Sequence, residues 1–387
     1  MSTGVSILGS TGSVGETTLR VLSHLGDSFH VVGLAAGRRI ERLAEQVRTV
    51  HPLLVSVAAE EDARRLRRDF PEVNVVHGSH GATMVAEMPE AQVVMAAIVG
   101  AEGLAPTYRA VQKGKRVALA NKEALVMAGR LMMEAARRSG AEMLPVDSEH
   151  CAVFQCVRGE SKRQIRRIIL TASGGSLRDV PLEDVDAAPL EAVLEHPTWK
   201  MGRKITVDSA TMMNKGLEVI EAHHLFDAPL DRISVVLHPQ SIVHSMVEFV
   251  DGSVMAQLAT ADMALPVQYA LTYPVRCPGV QDFLDLTAVR ALSFVEVDPA
   301  RYPCLDLARQ AAATSEAHVI AMNAANEEAV SAYLEGLVPF GQIHRTIARV
   351  LDRIVPGAPS DLEQVLALDG DGRRSAQREL ACVRSAP

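Results

Sequence analysis

Cysteine is scarce in this chain and follows no pattern. The five residues, Cys151, Cys156, Cys277, Cys304 and Cys382, are odd in number and form no C-x-x-C pair. That excludes a disulfide framework and leaves reduced packing thiols, as in a cytosolic protein. No apolar run approaches the ~20 residues of a membrane span, and no charged-then-apolar leader precedes Val5. The expectation is therefore a cytoplasmic protein that starts at its own first strand and has no membrane partner. Positive charge is in deficit too: the formal net charge is -8, which argues against a nucleic-acid partner, since that would need a broad basic surface. The densest basic run, Arg158, Lys162, Arg163, Arg166 and Arg167, carries no interleaved aromatics for base stacking and reads as a solvated face. Two catalytic signatures are also missing. No lysine follows the first glycine-rich turn, so it is not the phosphate loop of a triphosphate hydrolase, and no H-E-x-x-H occurs, so His238 and His244 read as structural residues rather than zinc ligands.

What remains is a folded chain of 387 residues, 48% of them hydrophobic, enough for about two or three domains at ~150 residues each. VSILGSTGSVGETTLRVLSHL opens with an apolar strand, Val5 to Leu8, then a glycine-rich turn, then a helix with apolar residues at helical spacing. Gly9, Gly12 and Gly15 give G-x-x-G-x-x-G, where Ser10, Thr11, Ser13 and a helix N-terminus could receive a pyrophosphate. A tight turn chosen only for packing would look the same. The next strand, His30 to Ala35, runs to Gly37, and Arg38 and Arg39 then open a helix. An acid there would suit the ribose hydroxyl of NAD, whereas two arginines favour the 2′-phosphate of NADP. Further strands are expected at Leu53 to Ala58, Val73 to His77, Gln92 to Ala97 and Val117 to Leu119, the alternation of a doubly wound parallel sheet. Asn121, Lys122 and Glu123 then lie just past a strand's carboxyl end; Asn121 can cap the following helix, and Lys122 can reach an oxyanion or a sugar hydroxyl.

An apolar run from Ala141 to Val146 leads into PVDSEH. In an extended backbone Asp147 and Glu149 point the same way and can share a cation; a pair of solvated turn acids is the competing reading. CAVFQCVRG reads as a helix. The strand in QIRRIILTASGGSL ends at Ser173, Gly174 and Gly175, a phosphate cradle or an ordinary turn. In EHPTWKMGRKITVDSATMMNKGLEVIEAHHLF, Ser209 can cap a helix carrying Asn214, Lys215 and Glu218, with Asn214 and Glu218 on one face. Trp199, the only tryptophan, sits among proline, glycine and cations in what resembles a mobile flap near 196–208. Two strands joined by Asp251-Gly252 form a hairpin of a second sheet. The chain turns irregular from about Asp282 to Ala308, then helical, and the amides of NAANEEAV would bond between helices.

Taken in order, GSTGSVG, LANKEAL, PVDSEH, TASGG, HPTWKMGRKITVDSATMMNKGLE and HPQSIVHSMV make the chain resemble the 1-deoxy-D-xylulose 5-phosphate reductoisomerases over nearly its whole length. The resemblance implies an α/β protein with an N-terminal Rossmann-like doubly wound parallel sheet (1–147), an α+β catalytic domain (148–281), a connector (282–310) and a C-terminal helical domain (311–387). It also implies NADPH-dependent rearrangement and reduction of 1-deoxy-D-xylulose 5-phosphate to 2-C-methyl-D-erythritol 4-phosphate by a homodimer. Asp147, Glu149 and Glu218 would hold Mg²⁺ or Mn²⁺. Ser173, Ser209, Asn214, Lys215 and His196 would hold the substrate phosphate and neighbouring hydroxyls, Lys122 and Ser148 the sugar oxygens, with Trp199 closing over the substrate. Thr11, Gly12, Ser13, Val14, Gly37, Arg38, Arg39, Asn121, Glu123 and Gly202 would bind NADPH, with Met201 near the nicotinamide. Arg39 stands where many members carry asparagine, a departure that would strengthen contact with a 2′-phosphate.

Overall fold

The computed structural model describes residues 2–384, which divide into two compact units. The first comprises residues up to Ala124, Met132–Cys151 and Asp262–Asp282; the second comprises Leu125–Leu131, Ala152–Ala261 and the remainder from Phe283.

The first unit is built on seven strands: β1 (Thr3–Leu8), β2 (Phe29–Ala35), β3 (Leu54–Val57), β4 (Asn74–His77), β5 (Val93–Ala96), β6 (Arg116–Leu119) and β7 (Met143–Pro145). Their order is β4-β3-β2-β1-β5-β6-β7, and every pairing is parallel. Short apolar runs such as VVMA form these strands because helices cover both faces, leaving no solvated side to demand alternation, and even Ser56 in LVSV is buried. Val5, Ile7, Leu34, Val55, Val94, Met95 and Val117 are accordingly fully buried. The strand order reverses between β1 and β5, the switch point where such sheets bind ligands beyond the strand ends. Asp262–Asp282 lies outside the linear span 1–147 yet packs in this unit. Its helix, Ala264–Thr272, is apolar on most faces and lies against the Ser13–Leu25 helix, with Arg20 paired to Asp262 at 2.9 Å.

The second unit carries a four-stranded sheet, ordered β11-β10-β8-β9, from β8 (Ile165–Ala172), β9 (Ile233–Leu237), β10 (Val243–Phe249) and β11 (Val254–Leu258). β10 and β11 form the expected hairpin around Asp251-Gly252, while β8 and β9 run parallel. The Met213–Phe226 helix covers this sheet through Val219, Ala222 and Phe226. Helices Pro303–Thr314, Glu316–Leu334, Gln342–Leu351 and Leu362–Arg384 build a second core around Ala321, Met322, Ala325, Ile343 and Ile347. The expected connector is thus helical from Pro303. Proline is tolerated at a helix's first turn, where its missing N–H has no intrahelical partner to lose.

Candidate active site

In the first unit the backbone N–H groups of Gly9 and Ser10 both bond Ala35 O, at 2.8 and 3.0 Å, tying the glycine-rich turn to the end of β2. Gly9 has φ +85°, and a Cβ there would fall 2.5 Å from Ala97 O, so only glycine fits at the switch point. Gly15 meets the backbone of Gly9 and Ser10 in the same way, bringing the Ser13–Leu25 helix down onto the turn. Gly12 is that helix's N-cap. Having no side chain, it supplies no cap to the first N–H groups at the positive dipole end. Thr11 is buried, Gly12 and Val14 half-buried and Ser13 exposed, while Gly37, Arg38 and Arg39 are exposed beyond β2. The Ile40–Val50 helix starts after Arg39, its N-cap, so the arginines precede the helix rather than occupy its first turn.

Asn121 caps the Lys122–Ser139 helix, its Oδ1 accepting from Ala124 N–H at 3.0 Å, and its amide donates to Gly100 O at 3.0 Å and to Ile98 O. It and Glu123 are buried. Asn121 therefore braces the strand-end loops, a structural role the sequence left beside the cofactor role. Lys122 Nζ lies 2.5 Å from Asp147 Oδ2, both side chains nearly out of solvent.

The local geometry of PVDSEH differs from the expectation. The Ser148–Cys156 helix already includes Ser148 and Glu149, and Cys151 N–H donates to Asp147 O at 2.8 Å. A helical backbone does not alternate faces, so the period-two argument for Asp147 and Glu149 fails here. One helical turn instead puts the fully buried His150 on the side of Asp147, with 3.8 Å between Nδ1 and Oδ2. Glu149 receives the Ser148 hydroxyl at 2.6 Å. Placing acids at a helix start also sets them where the dipole favours negative charge. His150 escaped the sequence reading because only the helical turn reveals its relation to Asp147.

In the second unit β8 delivers Ser173 into a loop with Gly174 at φ +85° and Gly175 at φ +70°. A Cβ on Gly175 would meet Ala210 Cα and Ser209 O at 2.7 Å, so the loop lies directly against the backbone of Ser209. His196 Nδ1 accepts from the N–H groups of Trp199 (2.9 Å) and Thr198 (3.2 Å), which puts the ring proton on Nε2, and Nε2–H donates to Ser173 Oγ at 3.0 Å. Burial, helped by the Arg178 charge, lowers the pKa of His196 below the usual imidazole value, favouring this neutral tautomer. Arg178 and Tyr302, absent from the sequence reading, brace the loop by donating to Ser173 O and Gly174 O, each at 2.9 Å. Neither stands in a motif, and Tyr302 is remote in the chain.

Ser209 does not cap the Asn214 helix. It lies in the Arg203–Ala210 helix, and Met212, at φ +60°, is the N-cap of Met213–Phe226. The expected shared face of Asn214 and Glu218 is present: Asn214 Nδ2 donates to Glu218 Oε1 at 2.6 Å, and Lys215 Nζ reaches Oε2 at 2.5 Å. Glu218 is fully buried, so its negative charge needs these partners, and an all-oxygen donor is one a hard divalent cation accepts. The stretch expected as a flap is irregular only over 195–202; Arg203–Ala210 is helical. Trp199 is half-buried there, its ring 6.0 Å from that of His244, and Met201 and Gly202 follow in this second unit. His238 is structural as expected. Its Nδ1–H donates to Ser293 O at 2.8 Å, and Nε2 accepts from Ile242 and Val243.

The family model described as 1-deoxy-D-xylulose 5-phosphate reductoisomerase matches residues 5–129, and two models of C-terminal domains of that enzyme match 143–226 and 258–375. A 1-deoxy-D-xylulose 5-phosphate reductoisomerase from Geobacter sp. (strain M21) is 51% identical over 378 residues, 97% of this chain and 98% of the relative. One from Citrifermentans bemidjiense is 52% identical over the same length and shares. The Zymomonas mobilis enzyme, solved in complex with NADPH, superposes with a TM-score of 0.92 at 40% identity, covering 98% of this chain and 99% of its own. A reductoisomerase solved with NADPH, fosmidomycin and magnesium gives 0.93 at 36% identity, each chain fully covered. With this likeness running the whole length of the chain, through both the glycine-rich turn and the NKxxE helix, the protein belongs to the 1-deoxy-D-xylulose 5-phosphate reductoisomerase family.

Proposed function

We propose that this chain converts 1-deoxy-D-xylulose 5-phosphate to 2-C-methyl-D-erythritol 4-phosphate with NADPH and a divalent cation, Mg²⁺ or Mn²⁺, in non-mevalonate isoprenoid synthesis. Bound cation supplies a Lewis acid at adjacent substrate oxygens, and bound NADPH supplies the hydride. Thr11, Gly12, Ser13 and Val14 at the open helix start receive the pyrophosphate, while Gly37, Arg38 and Arg39 receive the 2′-phosphate. Asn121, Glu123, Met201 and Gly202 complete the cofactor set. Asp147, Glu149 and Glu218 hold the cation. Lys122, already at 2.5 Å from Asp147, moves its charge to the sugar oxygens beside Ser148. Ser173, Ser209, Asn214 and Lys215 bind the phosphate, and His196, donating through Nε2, orients Ser173. Trp199 covers the substrate and excludes water.

The observation that carries this reading is the buried Glu218 carboxylate, braced by Asn214 and Lys215 on one helical face. The deciding measurement is NADPH absorbance in the presence of substrate, with and without chelator. We expect consumption only with divalent metal, and Glu218→Gln to abolish turnover while leaving NADPH affinity intact. Product without NADPH consumption would make the chain a metal-dependent isomerase or aldolase. NADPH binding with no metal-dependent turnover would make it a dinucleotide sensor.

We also infer a cytoplasmic homodimer. Among the described residues no helix is long and apolar enough to cross a membrane. The edge strand β11 presents Val254 and Met255 about half exposed, at 52% and 46%, the kind of edge that pairs with a second copy.

A further inference from the structure

One amide of the NAANEEAV segment, that of Asn326, bonds between helices as expected and leads to a buried network behind the phosphate serines. Asp208 is 1% exposed, in the last turn of the Arg203–Ala210 helix. Its Oδ1 accepts from Asn326 Nδ2 at 2.9 Å, and its Oδ2 lies 2.8 Å from Lys204 Nζ one turn earlier. This arrangement does nothing for the helix itself. A carboxylate near a helix C-terminus opposes the dipole, and lysine ahead of the acid is the weaker order for an i, i+4 pair. Burying the charge adds a desolvation cost that only its partners offset. What the network does accomplish is positional. Asp208 is the residue before Ser209, and the backbone of Ser209 and Ala210 lies against Gly175 of the Ser173 loop. Lys204 stands two residues past Gly202, where the irregular stretch bearing Trp199 joins the helix.

We propose that Asn326 and Asp208 are positioning residues, through which the Glu316–Leu334 helix fixes the Arg203–Ala210 helix and so sets Ser209 against the Ser173 loop for the substrate phosphate. This rests on the reading of Ser209 as a phosphate ligand. Removing the Asn326 amide leaves Asp208 anchored by one partner, and the helix end carrying Ser209 shifts relative to Gly175. A displacement well under an ångström suffices to weaken a set of directional hydrogen bonds to a phosphate.

The test measures steady-state kinetics for Asn326→Leu, Ser209→Ala and the exchanged pair Asp208→Asn with Asn326→Asp, each with 1-deoxy-D-xylulose 5-phosphate and with unphosphorylated 1-deoxy-D-xylulose. For Asn326→Leu we expect KM for the phosphorylated substrate to rise about tenfold, with KM for NADPH unchanged and no loss of kcat/KM on the unphosphorylated sugar. The exchanged pair, which restores a donor facing an acceptor, recovers most of that loss. A defect equal on both sugars, or no recovery in the exchanged pair, overturns the positioning role and leaves a merely structural one. If Ser209→Ala raises KM while Asn326→Leu does not, this inference fails alone. If Ser209→Ala has no effect, the phosphate reading of Ser209 fails with it. Should Asn326→Leu not fold, Lys204→Met at the one-fifth-exposed end of the network is held to the same expectation, and an unchanged KM there refutes it.

Discussion

Single residues in this protein owe their chemistry to what surrounds them. Arg38 and Arg39 are exposed past β2, in a place where an acid would serve NAD instead. Replacing both with glutamine should lower the preference for NADPH over NADH by about tenfold or more, since charge-assisted hydrogen bonds to a phosphate are each worth ~1.5–3 kcal/mol. Separate affinity titrations with the two dinucleotides check this. His224 offers a pH test. Its ring lies against Gly129, where a Cβ would come within 2.1 Å of it, and burial, reinforced by the charges of His223 and Arg130, lowers its pKa to about 4. The folded protein thus refuses a proton that the unfolded chain accepts near ~6.5. His224 therefore contributes stability that is present above that value and lost as pH falls toward 4, by up to ~1.4 kcal/mol per pH unit. Denaturant melts across that range should show the loss, and His224→Gln should reduce its slope.

At the scale of elements, the glycine-rich turn works by backbone contact rather than by side chains. Gly15 has no room for even a methyl group, since its Cβ would lie 2.4 Å from both Gly9 O and Ser10 O. We expect Gly15→Ala to cost roughly 1–3 kcal/mol of stability, as overpacking does, and to weaken NADPH binding by pushing the helix start away from the turn. A thermal melt and a cofactor titration on the same sample measure both effects. The SGG loop after β8 follows the same logic, Gly175 allowing the loop to lie directly against the helix end that carries Ser209.

For the whole molecule, the exposed apolar residues of β11 carry the assembly expectation. Met255→Lys puts a charge on that edge, a device natural sheets use against pairing. Sedimentation should give a dimer mass for the parent and a monomer mass for the variant, whereas a parent that sediments as a monomer contradicts the assembly. The two units also differ in how far the sequence exposed them. Consecutive βα alternation made the parallel sheet readable, since strands and helices follow one another locally, although the β1–β5 pairing joins residues as far apart as Val5 and Val93. The helix Ala264–Thr272 was not assignable to that unit, since nothing local ties it to the Ser13–Leu25 helix far upstream.

The sequence by itself determined the βα alternation of the first sheet, the hairpin around Asp251-Gly252, the glycine-rich turn, the arginines beyond β2 and the Asn214–Glu218 face, because local periodicity and short spacing dictate each of these, whereas β9 and the order of the strands in both sheets did not show there. Tertiary structure decided the rest. Whether Asp147 and Glu149 share a face depended on the backbone being helical from Ser148, and that placed His150 beside Asp147 instead. It also moved Ser209 from a cap to a helix end against Gly175, and gave the NAANEEAV amide its partner in Asp208, 118 residues away. A hydrogen bond across such a distance leaves no periodic trace. Only the packing of the two helices brings its donor and acceptor together.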